Sequence, residues 1–148
     1  VSDVAEAAGD PDHVQAVPEI QGAGGWDAMP ADELVHWLDA ADVFVSPTRF
    51  EGLPLTFAEA QTVGLPIVAY DIPGCNDVVT TGKNGFLCEN RDTDAMASSV
   101  VTLMDDSALR KRFSEDATLA SQRFGWDVIH EQTMQFYNEI LAERQGDR

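Results

Sequence analysis

The chain predicts an α/β fold, a short parallel sheet flanked by helices, with a helical last third. Three observations carry this. Compact apolar runs at Val43–Val45, Ile67–Tyr70 and Phe86–Cys88 show no polar alternation. Such runs mark strands covered on both faces, as in a parallel sheet. Between the first two lies Leu55–Val63, helical in composition and stopped by Gly64, which makes a strand–helix–strand unit, right-handed by expectation. Beyond Asp92 the apolar residues recur only at helical spacing.

Taken in order, the elements are as follows. His13–Val17 reads as a short strand and Gly22–Gly25 as a loop. A short helix is expected over about 31–40, with Leu34, Val35, Trp37 and Leu38 as its apolar residues. The first core strand ends at Ser46-Pro47, the second opens after Pro66 and closes at Asp71, and the third follows the turn Gly82-Lys83-Asn84-Gly85. Asp92 or Asp94 caps a helix with Met96, Val100, Val101 and Met104 on one face. Ser107 caps the next, which carries Leu109, Phe113, Ala117 and Ala120, and Gly125 breaks it. A long amphipathic helix then carries Trp126, Ile129, Thr133, Phe136, Tyr137, Ile140 and Leu141. Trp37 and Trp126 read as core residues. There is no internal repeat.

Composition bounds the function. The chain has 148 residues and 44% hydrophobic residues, enough for one domain with a proper core. Val1 reads as the first residue of a fragment or processed piece, with no secretory signal. With 26 acidic and 9 basic residues the formal charge is −17, which speaks against nucleic acid or an anionic membrane as a partner held by general attraction. Lys83 and Lys111 are the only lysines. Low lysine with abundant aspartate suits a salt-rich cytoplasm, where salt screens self-repulsion; an ordinary acidic bacterial protein is the alternative. Cys75 and Cys88 form no ligand cluster with histidines and read as small packing residues in a reducing, cytoplasmic setting. His13, His36 and His130 are scattered and make no triad or ligand set. No metal is expected.

The chemistry concentrates in Phe50-Glu51-Gly52-Leu53-Pro54-Leu55-Thr56-Phe57-Ala58-Glu59-Ala60. A strand ends at Ser46, a loop with Pro47, Gly52 and Pro54 follows, and a helix begins near Leu55. Ligands of open α/β sheets bind outside the carboxyl ends of the strands. The first amides of the following helix lack internal partners, and with the helix dipole they favour an anion, typically a phosphate. Gly52 lets a ligand approach the backbone. Glu51 and Glu59 bracket the loop, and a carboxylate can accept two hydrogen bonds from adjacent hydroxyls. A diphosphate flanked by hydroxyl-binding acids has the outline of a nucleoside diphosphate sugar. Ten glutamates give roughly one Glu-x7-Glu pair by chance. Glu131 and Glu139 also match, on the last helix, where solvated acids are the ordinary case. Only Glu51 and Glu59 span a strand–loop–helix junction.

These residues resemble family-four glycosyltransferases of the GT-B fold. The matching segments are Ala41–Pro47, Glu51–Pro54 through Glu59-Ala60, Gly64–Ala69, Pro73–Val79, Gly82–Leu87 and Arg123–Trp126, so the likeness covers about 30–141. It is greatest to members that build capsules and lipopolysaccharides. The resemblance implies that residues 1–148 are part of a C-terminal, Rossmann-like nucleotide-sugar-binding domain, with its first strands and the acceptor-binding N-terminal domain upstream. It implies sugar transfer from a nucleotide-diphosphate sugar with retention, without a cofactor or metal, in polysaccharide or glycolipid synthesis. Glu51 matches the acid nearest the reacting carbon. Glu59 matches the acid that holds the ribose hydroxyls. The amides of Leu55 and Thr56 match those that hold the diphosphate, and Gly52, Leu53 and Pro54 the loop beneath the sugar. Pro54 stands where many relatives have Gly or Ser and removes one donor. The Arg and Lys that relatives add have no match here; Arg49 and Lys83 read as surface residues. Trp26 falls where relatives hold the base, with packing the simpler reading. The partners implied are the nucleotide sugar and a saccharide or lipid-linked acceptor, at the cytoplasmic side of a membrane. Alone, the chain is expected to be inactive. An open sheet edge offers a route to a dimer. Two competing readings are a nucleotide-sugar epimerase on the same scaffold and a non-catalytic α/β interaction module.

Overall fold

Residues 30–146 are described by a computed structural model. The expected strand at 13–17, the glycine loop at 22–25, His13 and Trp26 lie outside the described residues. Helix α1 spans Ala31–Asp39, strand β1 Phe44–Ser46, helix α2 Leu55–Thr62 and strand β2 Ile67–Tyr70. A short helix α3 spans Cys75–Val78 and strand β3 spans Gly85–Cys88. Helices α4 (Thr93–Asp105) and α5 (Ser107–Ser121) follow, then a 3-10 turn at Gln122–Phe124 and helix α6 (Trp126–Gly146).

The three strands are parallel in the order β1-β2-β3. Phe44 pairs with Ile67, and Ile67 with Gly85. All three carboxyl ends therefore lie on one edge of the sheet. Every residue of the central strand β2 is buried, as its unbroken apolar run requires. The flanking strands are less covered than expected: Val45 in β1 is exposed, and Phe86 and Leu87 in β3 are half-buried. They are the edges of the described sheet, with a neighbour on one side only.

The core gathers Phe57 and Ala60 from α2, the whole of β2, Val78 and Val79 around α3, Leu103 from α4, and Phe113 and Ala117 from α5. Helix α2 packs against α5. Phe44 meets Phe57 edge-on at 5.7 Å between ring centroids, and Phe86 lies against Phe113 at 5.2 Å. These aromatic pairs tie the edge strands to the two helices. Cys75 and Cys88 are both buried, as read from the sequence.

Four sequence expectations are corrected. The cap of α5 is Asp106, whose carboxylate accepts from Leu109 N at 2.8 Å, and Ser107 is the first helical residue. A carboxylate both caps the amide and complements the helix dipole, so it takes the position from the neighbouring serine. Asp106 also ends α4, and Arg110 reaches back to the carbonyls of Leu103 and Met104 at 2.7 and 3.1 Å. The buried stripe of α4 runs through Met96, Val100 and Leu103, while Val101 and Met104 face solvent. Both sets have helical spacing, and only packing chooses between them. Trp126 is not core but 84% exposed. The apolar face of α6 stays open as well, with Ile129, Phe136, Tyr137 and Leu141 exposed, because among the described elements α6 packs chiefly on the preceding 3-10 turn. The cap at Asp92 stands: its carboxylate accepts from Ala95 N at 2.9 Å.

Candidate functional site

The carboxyl edge of the sheet carries the β1–α2 loop and the β2–α3 turn. Proline and glycine in the β1–α2 loop keep it out of helix until Pro54, which is buried and extended (φ −72°, ψ 103°) and serves as N-cap of α2. Its carbonyl accepts from Phe57 N at 3.0 Å. No side chain caps α2, and its first turn holds no acid. The amides of Leu55 and Thr56 have no acceptor among the described residues. The start of α2 therefore presents N–H groups unpaired among the described residues, with the positive end of the helix dipole behind them and no carboxylate in the first turn.

The remaining expected site residues flank this terminus in sequence. Glu51 is half-buried, and its carboxylate lies 3.2 Å from Thr48 Oγ1. The same hydroxyl lies 3.2 Å from the carbonyl of Phe50, so its single proton is shared between two acceptors. Thr48 thus fixes Glu51 within the loop. Gly52 is exposed, with open space where a Cβ would stand. Leu53 and Leu55 are exposed and Thr56 is half-buried. Glu59 is exposed one turn after Leu55, on the face of α2 opposite Phe57 and Ala60. Its Cα lies about 6 Å along the axis from the helix start, from the rise per residue.

Two neighbours of Glu51 escaped the sequence reading. Thr48 carries no motif of its own. The other is the Pro73-Gly74-Cys75 turn, whose Pro-Gly pair after a strand signals a turn but not what it touches. Gly74 has φ +87°, and a Cβ on it would stand 2.4 Å from the carbonyl oxygen of Gly52. The adjacent Cys75 thiol is pushed up to about 11 by burial and by the charge of Glu51. It stays protonated at neutral pH and is no nucleophile.

His36, His130, Arg49, Lys83, Glu131 and Glu139 are exposed, and of these Arg49 lies in the β1–α2 loop itself. Among the described residues no group of acids, histidines and cysteines is disposed to hold a metal ion. No described helix is long and apolar enough to cross a membrane. A hollow at the amino-terminal edge of the sheet, lined by Asp42, Gly64, Arg110 and Lys111, contains the Arg110–Asp42 ion pair at 3.4 Å.

The family profile described as "Glycosyl transferases group 1" matches residues 27–120, which includes all of this loop and α2. The chain belongs to the group 1 glycosyltransferases. It is 33% identical over 121 residues to a D-inositol 3-phosphate glycosyltransferase of Corynebacterium glutamicum, covering 82% of this chain and 29% of that protein. Among solved structures it resembles a sucrose-phosphate synthase of Thermosynechococcus elongatus, with TM-score 0.70, 26% identity, and 78% and 29% of the two chains covered. It also resembles Anabaena Alr3699/HepE in complex with UDP, with TM-score 0.65, 26% identity, and 69% and 29% covered. The chain thus spans under a third of the length of these relatives. The Rossmann-like architecture of a GT-B C-terminal domain, expected from the sequence, agrees with these neighbours.

Proposed function

We propose that this group 1 glycosyltransferase chain binds the nucleotide-diphosphate sugar from which a hexose is transferred, with retention, to a saccharide or lipid-linked acceptor in polysaccharide or glycolipid synthesis. The observation that carries the reading is the uncapped start of α2, whose Leu55 and Thr56 amides have no acceptor among the described residues, with an open Gly52 in the loop before it and Glu51 and Glu59 on either side of it in sequence. In this reading the two amides hold the diphosphate, Glu59 accepts from the ribose hydroxyls, and Glu51 stands nearest the reacting carbon. Gly52, Leu53 and Pro54 form the floor under the sugar. The UDP bound to a structural neighbour supports a nucleotide at such a site.

The chemistry follows from charge. Cleaving the sugar–phosphate bond loads negative charge onto the leaving diphosphate. Prearranged donors aimed at that charge are worth more in the transition state than in the ground state. The α2 terminus supplies part of this stabilisation, and cations from elsewhere in the protein supply the rest. The proposal calls on no metal, so transfer persists in EDTA.

The test is a titration of the full-length enzyme with UDP, GDP and ADP followed by a transfer assay with the corresponding sugars. Binding of a nucleoside diphosphate that weakens in Glu59→Ala is the expected result. Equal affinity of wild type and Glu59→Ala for every nucleotide removes the assignment.

A further inference from the structure

The β2–α3 turn lies directly against the backbone of the candidate site. A Cβ on Gly74 would stand 2.4 Å from the carbonyl oxygen of Gly52, 3.0 Å from its carbonyl carbon and 3.0 Å from the carbonyl oxygen of Glu51. All three are backbone atoms, so no side chain can swing aside, and one of the two turns must move. The two sides differ in freedom. On the Gly74 side, Ile72, Gly74 and Cys75 are buried, and the Ile72 carbonyl accepts from Cys75 N and Asn76 N at 3.1 Å each. Pro73 restricts the backbone before it. On the other side Gly52 is exposed and has nothing within 4 Å of a Cβ position. The Arg123 guanidinium donates to the carbonyl of Asp77 and holds α3 from behind. An atom added at position 74 therefore drives the Gly52–Leu53 peptide, and with it the Glu51 carbonyl, outward, toward the space that the proposed function gives the sugar.

We infer that Gly74 is a positioning residue whose missing side chain lets the backbone from Glu51 to Leu53 rest on the β2–α3 turn and thereby sets where the Glu51 carboxylate stands relative to the start of α2. Its catalytic consequence rests on the function proposed above; the contact itself does not. The start of α2 is held separately, by the burial of Pro54, Phe57 and Ala60, so displacing Glu51 leaves the diphosphate amides in place. Sugar transfer and nucleotide binding then respond differently.

The test compares Gly74→Ala with Gly82→Ala. Gly82 has φ +81° and open space around its Cβ position, so its variant also places an alanine at positive φ but without the contact. In amide spectra of the isotopically labelled chain, Gly52 and Leu53 shift in Gly74→Ala and stay put in Gly82→Ala. In the full-length enzyme, turnover with the donor that supports transfer falls roughly 10- to 100-fold in Gly74→Ala, with affinity for its nucleoside diphosphate unchanged, and Gly82→Ala turns over as wild type. Unmoved Gly52 and Leu53 resonances, or equal turnover losses in the two variants, overturn the inference. Should Gly74→Ala not fold, Pro73→Gly loosens the same turn from an exposed position. It is expected to lower turnover several-fold, and wild-type turnover there also overturns the inference. A full-length enzyme that neither binds a nucleotide nor transfers sugar defeats the proposed function instead, while the amide shifts still report on the contact.

Discussion

Glu51 and Glu59 differ in setting, and their substitutions should differ in effect. Glu59 is an exposed helix acid with no packing role, so Glu59→Ala should fold normally. Loss of charge-assisted hydrogen bonds of about 1.5–3 kcal/mol predicts roughly 10- to 100-fold weaker nucleoside diphosphate binding, measured by calorimetry. Glu51 is half-buried and held by Thr48. In the full-length enzyme, Glu51→Ala should lower turnover by about 100-fold or more, with a smaller change in nucleotide affinity. Cys75 provides a pH readout. Its thiol is raised from 9.0 to about 11 by burial, then by Glu51. A raised folded-state pKa means stability intact below pH 9 and lost as pH rises toward 11, because the unfolded chain releases the proton first. The melting temperature should fall across that window more steeply for wild type than for Cys75→Ala. Parallel curves would remove Cys75 from the explanation.

At the scale of elements, helix α2 is the part whose two ends have different tasks. Its face bearing Phe57 and Ala60 is core, and its uncapped start faces the carboxyl edge of the sheet. Leu55→Pro separates these roles. Leu55 is exposed at the first helical position, where proline is tolerated, and Pro54 already has the extended backbone that precedes a proline. The variant deletes one amide without breaking the helix. Nucleoside diphosphate affinity should fall about tenfold with the circular dichroism spectrum unchanged. Unchanged affinity would place the phosphates elsewhere. Arg110 joins three elements through the carbonyls of Leu103 and Met104 and the carboxylate of Asp42. Arg110→Ala should destabilise the chain by about 1–3 kcal/mol in urea unfolding, since it leaves a helix end and a partly buried acid without their cation.

For the whole molecule, the charge of −17 sets the solution behaviour. Like charges at this density repel, and potassium chloride at molar concentration shortens their reach to a few ångströms. The melting temperature should therefore rise from low to molar potassium chloride, and a flat response would remove the salt-rich habitat from consideration. The exposed apolar face of α6 belongs to the same scale. Periodicity identifies which face of a helix is apolar, but coverage depends on neighbours that periodicity does not encode. For this reason Trp126 was misread as core, whereas Phe113, with the same kind of spacing, was read correctly and lies against Phe86.

From the sequence alone came the parallel strands, the helix at Leu55, the acids on either side of it and the family. These depend on local signals: unbroken apolar runs, Pro and Gly at junctions, and the spacing of Glu51 and Glu59 along a strand–loop–helix unit. Only the tertiary structure decided that Asp106 caps α5, that Leu103 faces the core, and that the β2–α3 turn lies against the backbone of Gly52. Each of those depends on a contact between segments, or on a choice between adjacent candidates of equal spacing. A one-dimensional pattern fixes neither, because it carries periods and not distances.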